Sequence, residues 1–324
     1  MDSILLIGDP HFKVSNSLES EQFHDEVMRT VKERQEEIDF VVVLGDTLDT
    51  HEKIHVQPFC RAINFLRCLS SLKKTYVLIG NHDRINNNVY LTDEHPFSSL
   101  KNQSNDLIII DNTFSEGRFC FVPYVPNGRF LEALDSNFEG KECFFAHQEF
   151  SGCKMGGIIS ENGDEWDEDF PPVFSGHIHD FQKPQENIIY TGTPYQHSFS
   201  DDEDKGIYIL NFRDKNDWEL QKIELNIVKK KYISMTVSEF EKYTVPRNCL
   251  LKINFIGDGT VIKQHLERKD ISDKIKKHKI KYKITVKNSK KIIKNKGNNF
   301  LENLSTRIKN SDKEISSLYE EIFL

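Results

Sequence analysis

Residues 4–11 read Ile4-Leu5-Leu6-Ile7-Gly8-Asp9-Pro10-His11, four apolar residues running straight into a glycine, a carboxylate and an imidazole. A short apolar run closed by glycine and polar residues is the pattern of a buried strand and the loop that leaves it. The pattern recurs four times. Phe40 to Leu44 runs into Gly45-Asp46, and Tyr76 to Ile79 runs into Gly80-Asn81-His82-Asp83. Phe144-Phe145 leads to Ala146-His147-Gln148, and Val173-Phe174 to Gly176-His177-Ile178-His179. In open α/β sheets, sites form in the crevice beyond the carboxyl ends of the strands. Five strand ends are therefore expected to bring oxygen and nitrogen donors to one place. Thiolates are absent from the set, which suits hard or borderline divalent ions.

Asp9, His11, Asp46, Asn81, His147, His177 and His179 are the candidate ligands, enough for two ions if one carboxylate is shared. Asp46 is the natural bridge, because a carboxylate has two oxygens with several lone-pair directions. Residues two apart on an extended chain point the same way, so Asp9 can work with His11, and His177 with His179. Two ions about 3.5–4 Å apart activate water and neutralise a phosphoryl group during in-line displacement. Each segment alone has an ordinary reading, since Gly-Asp is a common turn and a lone histidine is usually a surface residue. All five in order outweigh it.

The order Asp-x-His, Gly-Asp-x-x-Asp, Gly-Asn-His-Asp, His and Gly-His-x-His across residues 9–179 resembles the calcineurin-like metallophosphoesterases. The resemblance implies an α/β fold, a four-layer α/β-β-α sandwich. It implies a first metal held by Asp9, His11, Asp46 and His179, and a second by Asn81, His147 and His177 with Asp46 shared. Mn²⁺ is the expected ion, with Mg²⁺, Fe²⁺ or Zn²⁺ also compatible. His82 takes the family's role of proton donor to the leaving oxygen, and Asp49 is similar to the carboxylate that orients it. Read from the chain alone, Asp49 is equally a helix N-cap.

Protein phosphatases of this type carry an arginine after the second aspartate and a glutamate in the third motif. This chain has Thr50 and Asp83 there. Beyond the last ligand, Tyr190-Thr191-Gly192-Thr193-Pro194-Tyr195, then Ser198-Phe199 and an acidic run ending Lys205-Gly206, resembles SbcD, the nuclease subunit of the SbcCD complex. That likeness adds a small α/β capping domain and a C-terminal helix to the expected fold, and implies a DNA nuclease with 3′-to-5′ exonuclease and single-strand endonuclease work in repair and recombination. Its partners would be DNA ends, single strands and an SbcC-like SMC-type ATPase, within a homodimer inside a heterotetramer. A phosphomonoesterase acting on a phosphoprotein or small molecule, and a non-catalytic scaffold on the same fold, are the rival readings.

Charge divides the chain. Residues 1–227 carry 20 Lys plus Arg against 40 Asp plus Glu, and residues 228–324 carry 23 against 11, so −20 and +12 give the net −8. The asymmetry marks a boundary near 228–246; the SbcD likeness implies a nuclease domain over 1–227, a basic capping or DNA-contact domain over 228–296 and a helical partner-binding tail over 297–324. Lys274, Lys276, Lys277, Lys281 and Lys283 are the candidate contacts to a phosphate backbone, or else a solvated face. The tail places Leu301, Leu304, Ile308, Ile315, Leu318 and Ile322 at helical spacing, a stripe that must bury itself on the chain's own core or on a partner. Helices are expected over 17–38, with Phe23, Val27, Val31 and Ile38 on one face, over 58–72, and over 258–269. No apolar run approaches the ~20 residues of a membrane helix. The first strand follows Met1 too closely for a signal peptide. Six cysteines without paired spacing suggest buried thiols, Cys60, Cys68, Cys120 and Cys143 among them. A cytoplasmic or otherwise intracellular, non-secreted protein is expected.

Overall fold

Alternation along the first strand decides the layering. In the computed structural model, which describes residues 1–51 and 53–286, Leu5 and Ile7 join one apolar cluster and Ile4 and Leu6 another. Successive side chains on a strand leave opposite faces, so a fully apolar run means a sheet covered on both sides. Every residue from Ile4 to Ile7 is fully buried, and each such side chain contributes about 1.5–3 kcal/mol.

The chain starts β1 (Asp2–Ile7), α1 (Ser17–Glu33), β2 (Phe40–Val43), α2 (Val56–Leu72), β3 (Thr75–Leu78) and β4 (Leu107–Ile110). It continues as β5 (Phe114–Glu116), β6 (Phe119–Val122), α3 (Phe130–Leu134), β7 (Cys143–His147), the hairpin β8 (Lys154–Met155) with β9 (Ile158–Ile159), and β10 (Val173–Gly176). Then come β11 (Gln182–Gln185), β12 (Ile188–Tyr190), β13 (Ile207–Asp214) and β14 (Asp217–Ile223). Two six-stranded sheets result, ordered β14-β13-β1-β2-β3-β4 and β11-β12-β10-β7-β6-β5. Strands β1 to β4 are mutually parallel, with β1 matching Ile4 to Phe40 and Ile7 to Val43. In the second sheet β6, β7, β10 and β12 are parallel.

Between the sheets lie Ile4, Leu6, Val42, Leu44, Tyr76 and Leu78 from one side and Phe119, Phe121, Phe145 and Phe174 from the other. Helices α1 and α2 cover the outer face of the first sheet through Phe23, Val27, Val31, Phe65, Leu66 and Leu69. Outside the second sheet, Phe130, Ala133 and Leu134 of α3 pack with Trp166, Phe144 and Val173. The expected four-layer α/β sandwich is thus the observed one. Helix α1 stops five residues short of Ile38. After Glu33 the chain leaves the helix so that Asp39 N–H can donate to the Ser3 carbonyl (2.8 Å) and β2 can join the sheet.

The chain divides into two compact units, Met1–Tyr232 with Val245–Lys252, and Ile233–Thr244 with Ile253–Leu324. Around and within the second unit run β15 (Lys229–Met235), α4 (Val237–Lys242), β16 (Cys249–Gly257), α5 (Gly259–Glu267), α6 (Lys269–Lys277) and β17 (Lys281–Val286). The helix expected over 258–269 is α5, and a second helix not foreseen, α6, follows it. Asp258 caps α5 by accepting from Thr260 and Val261 N–H, and extended backbone at Arg268 ends it before α6. The amphipathic tail lies outside the described residues. Cys120 and Cys143 are buried as expected, but Cys60 sits on an exposed side of α2 and Cys68 is half-buried; all six thiols are free. No helix among the described residues is long and apolar enough to cross a membrane.

Candidate metal centre

The loops leaving β1, β2, β3, β7 and β10, all at the carboxyl ends of parallel strands, converge on one place. Asp9, His11 and Asp46 form one cluster and Asp46, His147 and His177 another, with donor atoms in each within 4.8 Å of one another. Asp46 gives one oxygen to each: Oδ2 lies 3.6 Å from His11 Nε2 and Oδ1 3.3 Å from His147 Nε2. That is the geometry expected of a bridge. His179 Nε2 faces His11 Nε2 at 3.1 Å. Asn81 Oδ1 lies 3.0 Å from His147 Nε2 and 2.9 Å from His177 Nδ1. All seven candidates therefore meet at one place.

Backbone detail makes the convergence possible. His11, Asp46 and His177 adopt positive φ of 44°, 46° and 79°, a conformation that costs non-glycine residues energy and clusters at functional sites. A β-carbon on Gly80 would collide with the Asp46 carboxylate and amide, and one on Gly45, where φ is 98°, with the His147 ring. His147 Nδ1 donates to the Leu44 carbonyl (2.7 Å), which leaves Nε2 as the ligand nitrogen.

Much of the site is buried, and the charge states of its groups shift accordingly. Burial pushes Asp9 up to about 8. Burial also opposes ionisation of Asp46, but His147 outweighs it by charge and hydrogen bond and holds Asp46 well below the usual carboxylate range. His147 is raised to about 9 against its own burial by Asp46 and Asp9. Burial keeps His11 well below its ordinary value and takes His177 down to about 4, so both are neutral, the form that ligates.

The sequence comparisons agree with this geometry. A family model described as calcineurin-like phosphoesterase matches residues 3–181. "Putative phosphoesterase 244L" of Invertebrate iridescent virus 6 is 40% identical over 268 residues, covering 80% of this chain and 94% of that protein. "Putative phosphoesterase 078R" of Invertebrate iridescent virus 3 is 45% identical over 245 residues, covering 73% of this chain and 70% of that one. The chain belongs to the calcineurin-like phosphoesterases.

Members of this family work with divalent ions, and the residues present fit them. Asp9 Oδ2 is buried without a hydrogen-bond partner, and the donor atoms of each cluster crowd within 4.8 Å of one another. A cation supplies what the protein lacks there.

His82 stands beside the calcineurin-like centre. Its backbone N–H donates to Asp46 Oδ1 (2.8 Å) and its Nδ1 donates to the Asp49 backbone carbonyl (2.8 Å). The expected role of the Asp49 carboxylate needs correction. That carboxylate pairs with Lys13 Nζ at 2.9 Å and lies 3.6 Å from His11 Nδ1, so the main chain of Asp49, not its side chain, holds His82. Neither does Asp49 cap a helix; α2 begins at Val56, with His55 as its N-cap.

Lys274 is also corrected. Its Nζ donates to the carbonyls of Phe240 (2.6 Å), Tyr243 (2.7 Å) and Glu241 (3.3 Å), closing the end of α4 rather than facing a ligand. Lys276, Lys277, Lys281 and Lys283 are exposed on α6 and β17.

Two histidines escaped the sequence reading. His197 Nε2 donates to the Asp9 carbonyl (3.0 Å) beneath the first cluster. Its clue is position, two residues past Tyr195, whose hydroxyl reaches the neighbouring Pro10 carbonyl (2.8 Å). His51 stacks on His82, and no motif spacing marks it.

Proposed function

We propose that this chain is a two-metal phosphoester hydrolase in which Asp46 is shared between the ions and His82 delivers the proton to the leaving oxygen. The observation that carries it is the division of the Asp46 carboxylate between two donor clusters. When bound, the paired ions supply an activated water and neutralise the charge that builds on the phosphoryl group. The chain's own residues do the rest. His147 is oriented by the Leu44 carbonyl, and Asn81 bridges His147 and His177. His82, with Nδ1 committed to the Asp49 carbonyl, has Nε2 left to hand over a proton. The relatives' phosphoesterase names support this reading without choosing among esters.

The DNA nuclease reading is the second, and three observations support it. Asp83 replaces the phosphatase glutamate and is committed structurally, accepting from Leu48 (2.8 Å), Thr47 (3.1 Å) and Gly80 (3.1 Å) N–H. Thr50 stands where protein phosphatases carry arginine. Residues 228–324 carry the basic excess, with Lys276 and Lys277 exposed. In this reading the protein cuts DNA as the nuclease partner of an SbcC-like ATPase, bound through residues beyond Asn299.

Metal-stripped protein restored with Mn²⁺ should hydrolyse p-nitrophenyl phosphate or labelled DNA, and His82→Asn should retain its metal while losing about 10²–10⁴-fold in rate. Cleavage of duplex or single-stranded DNA selects the nuclease; turnover of the monoester alone selects the phosphatase. An inactive wild type that holds two ions refutes the hydrolase.

A further inference from the structure

His51 lies beside the catalytic histidine without belonging to either ligand cluster. Its ring stacks on that of His82 with centroids 4.6 Å apart and planes 20° from parallel. Its Nδ1 is buried with no hydrogen-bond partner, so the ring is not held there for that atom's hydrogen bonding.

His82 has three supports. Nδ1 donates to the Asp49 carbonyl at 2.8 Å. His11 meets the ring edge-on, with centroids 5.0 Å apart at 86°. The third is the face of His51. A single hydrogen bond fixes one atom and leaves the ring free to turn about the Nδ1···O axis. An edge contact resists that turning poorly, whereas a flat ring laid parallel resists it well. Asp49 and His51 are two residues apart, so one short loop supplies both the anchor and the flat wall.

We propose that His51 is a positioning residue for the proton transfer, its ring fixing the plane in which His82 presents Nε2 to the departing oxygen. The proposal rests on the acid role of His82 in the hydrolase reading. In the step it serves, water oxygen forms the new P–O bond and yields a proton to solvent, while the P–O bond to the leaving group breaks. The departing oxygen takes the proton from His82 Nε2, and solvent returns one to the ring.

The test compares esters that share a phosphoryl group and differ in the leaving oxygen. These are p-nitrophenyl phosphate against glycerol 2-phosphate, or thymidine 5′-(p-nitrophenyl phosphate) against a thymidine dinucleotide, in whichever class the Mn²⁺-loaded wild type turns over. Nitrophenolate departs without a proton; an alkoxide does not. His51→Ala should slow the alkoxide ester by up to about 100-fold, the scale of a misplaced catalytic group, and leave the nitrophenyl ester unchanged. His51→Phe, which keeps a flat face, should restore the alkoxide rate. Equal losses on both esters, no loss on either, or a Phe variant as slow as Ala would overturn the proposal. The same assay on His82→Asn separates the two levels: if that variant slows both esters equally, the acid assignment itself falls, and the role of His51 with it. A wild type inert toward every ester removes the hydrolase reading and this one together.

Discussion

Asp46 and Asp111 follow strands of the same sheet, β2 and β4, and both are buried, at 1% and 4% exposure. Their surroundings differ in one respect. Asp111 is answered by its neighbours: Lys101 Nζ donates to both oxygens (2.9 and 2.7 Å), and His95 Nε2 lies 3.0 Å from Oδ2. Burial opposes its charge, but His95 and Lys101 prevail and bring it down to about 2. Asp46 is answered on one oxygen only: Oδ1 takes the His82 N–H (2.8 Å) and faces His147, while Oδ2 faces His11, which burial keeps neutral. A strand-end carboxylate that the protein neutralises itself is architecture. One whose second oxygen is left facing a neutral imidazole has a lone pair to offer a cation.

Removing the bridge should produce the largest effect. Asp46→Asn is expected to drop metal content from two ions to one or fewer, read by elemental analysis, and to cut hydrolysis about 10³-fold or more, since metal assistance is worth several kcal/mol. Full activity with two ions would erase the contrast with Asp111.

Acidity sharpens the same contrast. Asp9 near 8 and His147 near 9 hold protons at neutral pH that the ions must displace. Apparent Mn²⁺ affinity should therefore climb between pH 7 and 9, by about tenfold per unit for each proton released, and calorimetry in buffers of different ionisation heat should count those protons. A flat profile would show the site already deprotonated.

Asp111→Asn should leave metal content and rate alone and cost on the order of 2 kcal/mol of unfolding free energy at pH 7. Because the folded-state value is depressed from 3.8 to about 2, that contribution is full above about pH 4 and fades as pH falls toward 2. Urea titrations of wild type and variant should converge over that window. The smallest effect belongs to Asp49→Ala. Its carboxylate touches Lys13 and His11 while its carbonyl serves His82, so the rate should fall by less than about tenfold, well short of a lost general acid. A loss equal to that of His82→Asn would mean that the carboxylate, and not the main-chain carbonyl, orients the acid.

The division between what the sequence revealed and what it hid follows the same line. The candidate ligands were legible because they sit just after apolar strands, and the order of those strands in the chain carries the geometry. His51 and His197 were not, because stacking and carbonyl contacts depend on where loops return in space. Ile4 to Ile7 announced a sheet covered on both faces. The β14 strand stayed hidden because exposed polar residues alternate through Asp217–Ile223 with only half-buried apolar ones, leaving no apolar run to notice. Lys274 looked like any other lysine in a basic stretch until the end of α4 was found beneath it.

One consequence follows from the site drawing its loops from both sheets. The ions would act as a rivet through the rim of the sandwich, since Asp9, Asp46 and Asn81 come from one leaf and His147 and His177 from the other. Chelation would then do more than silence chemistry: it would unfasten that rim, and the turns beginning at Gly45 and Gly80 would be the first to exchange their amides with solvent.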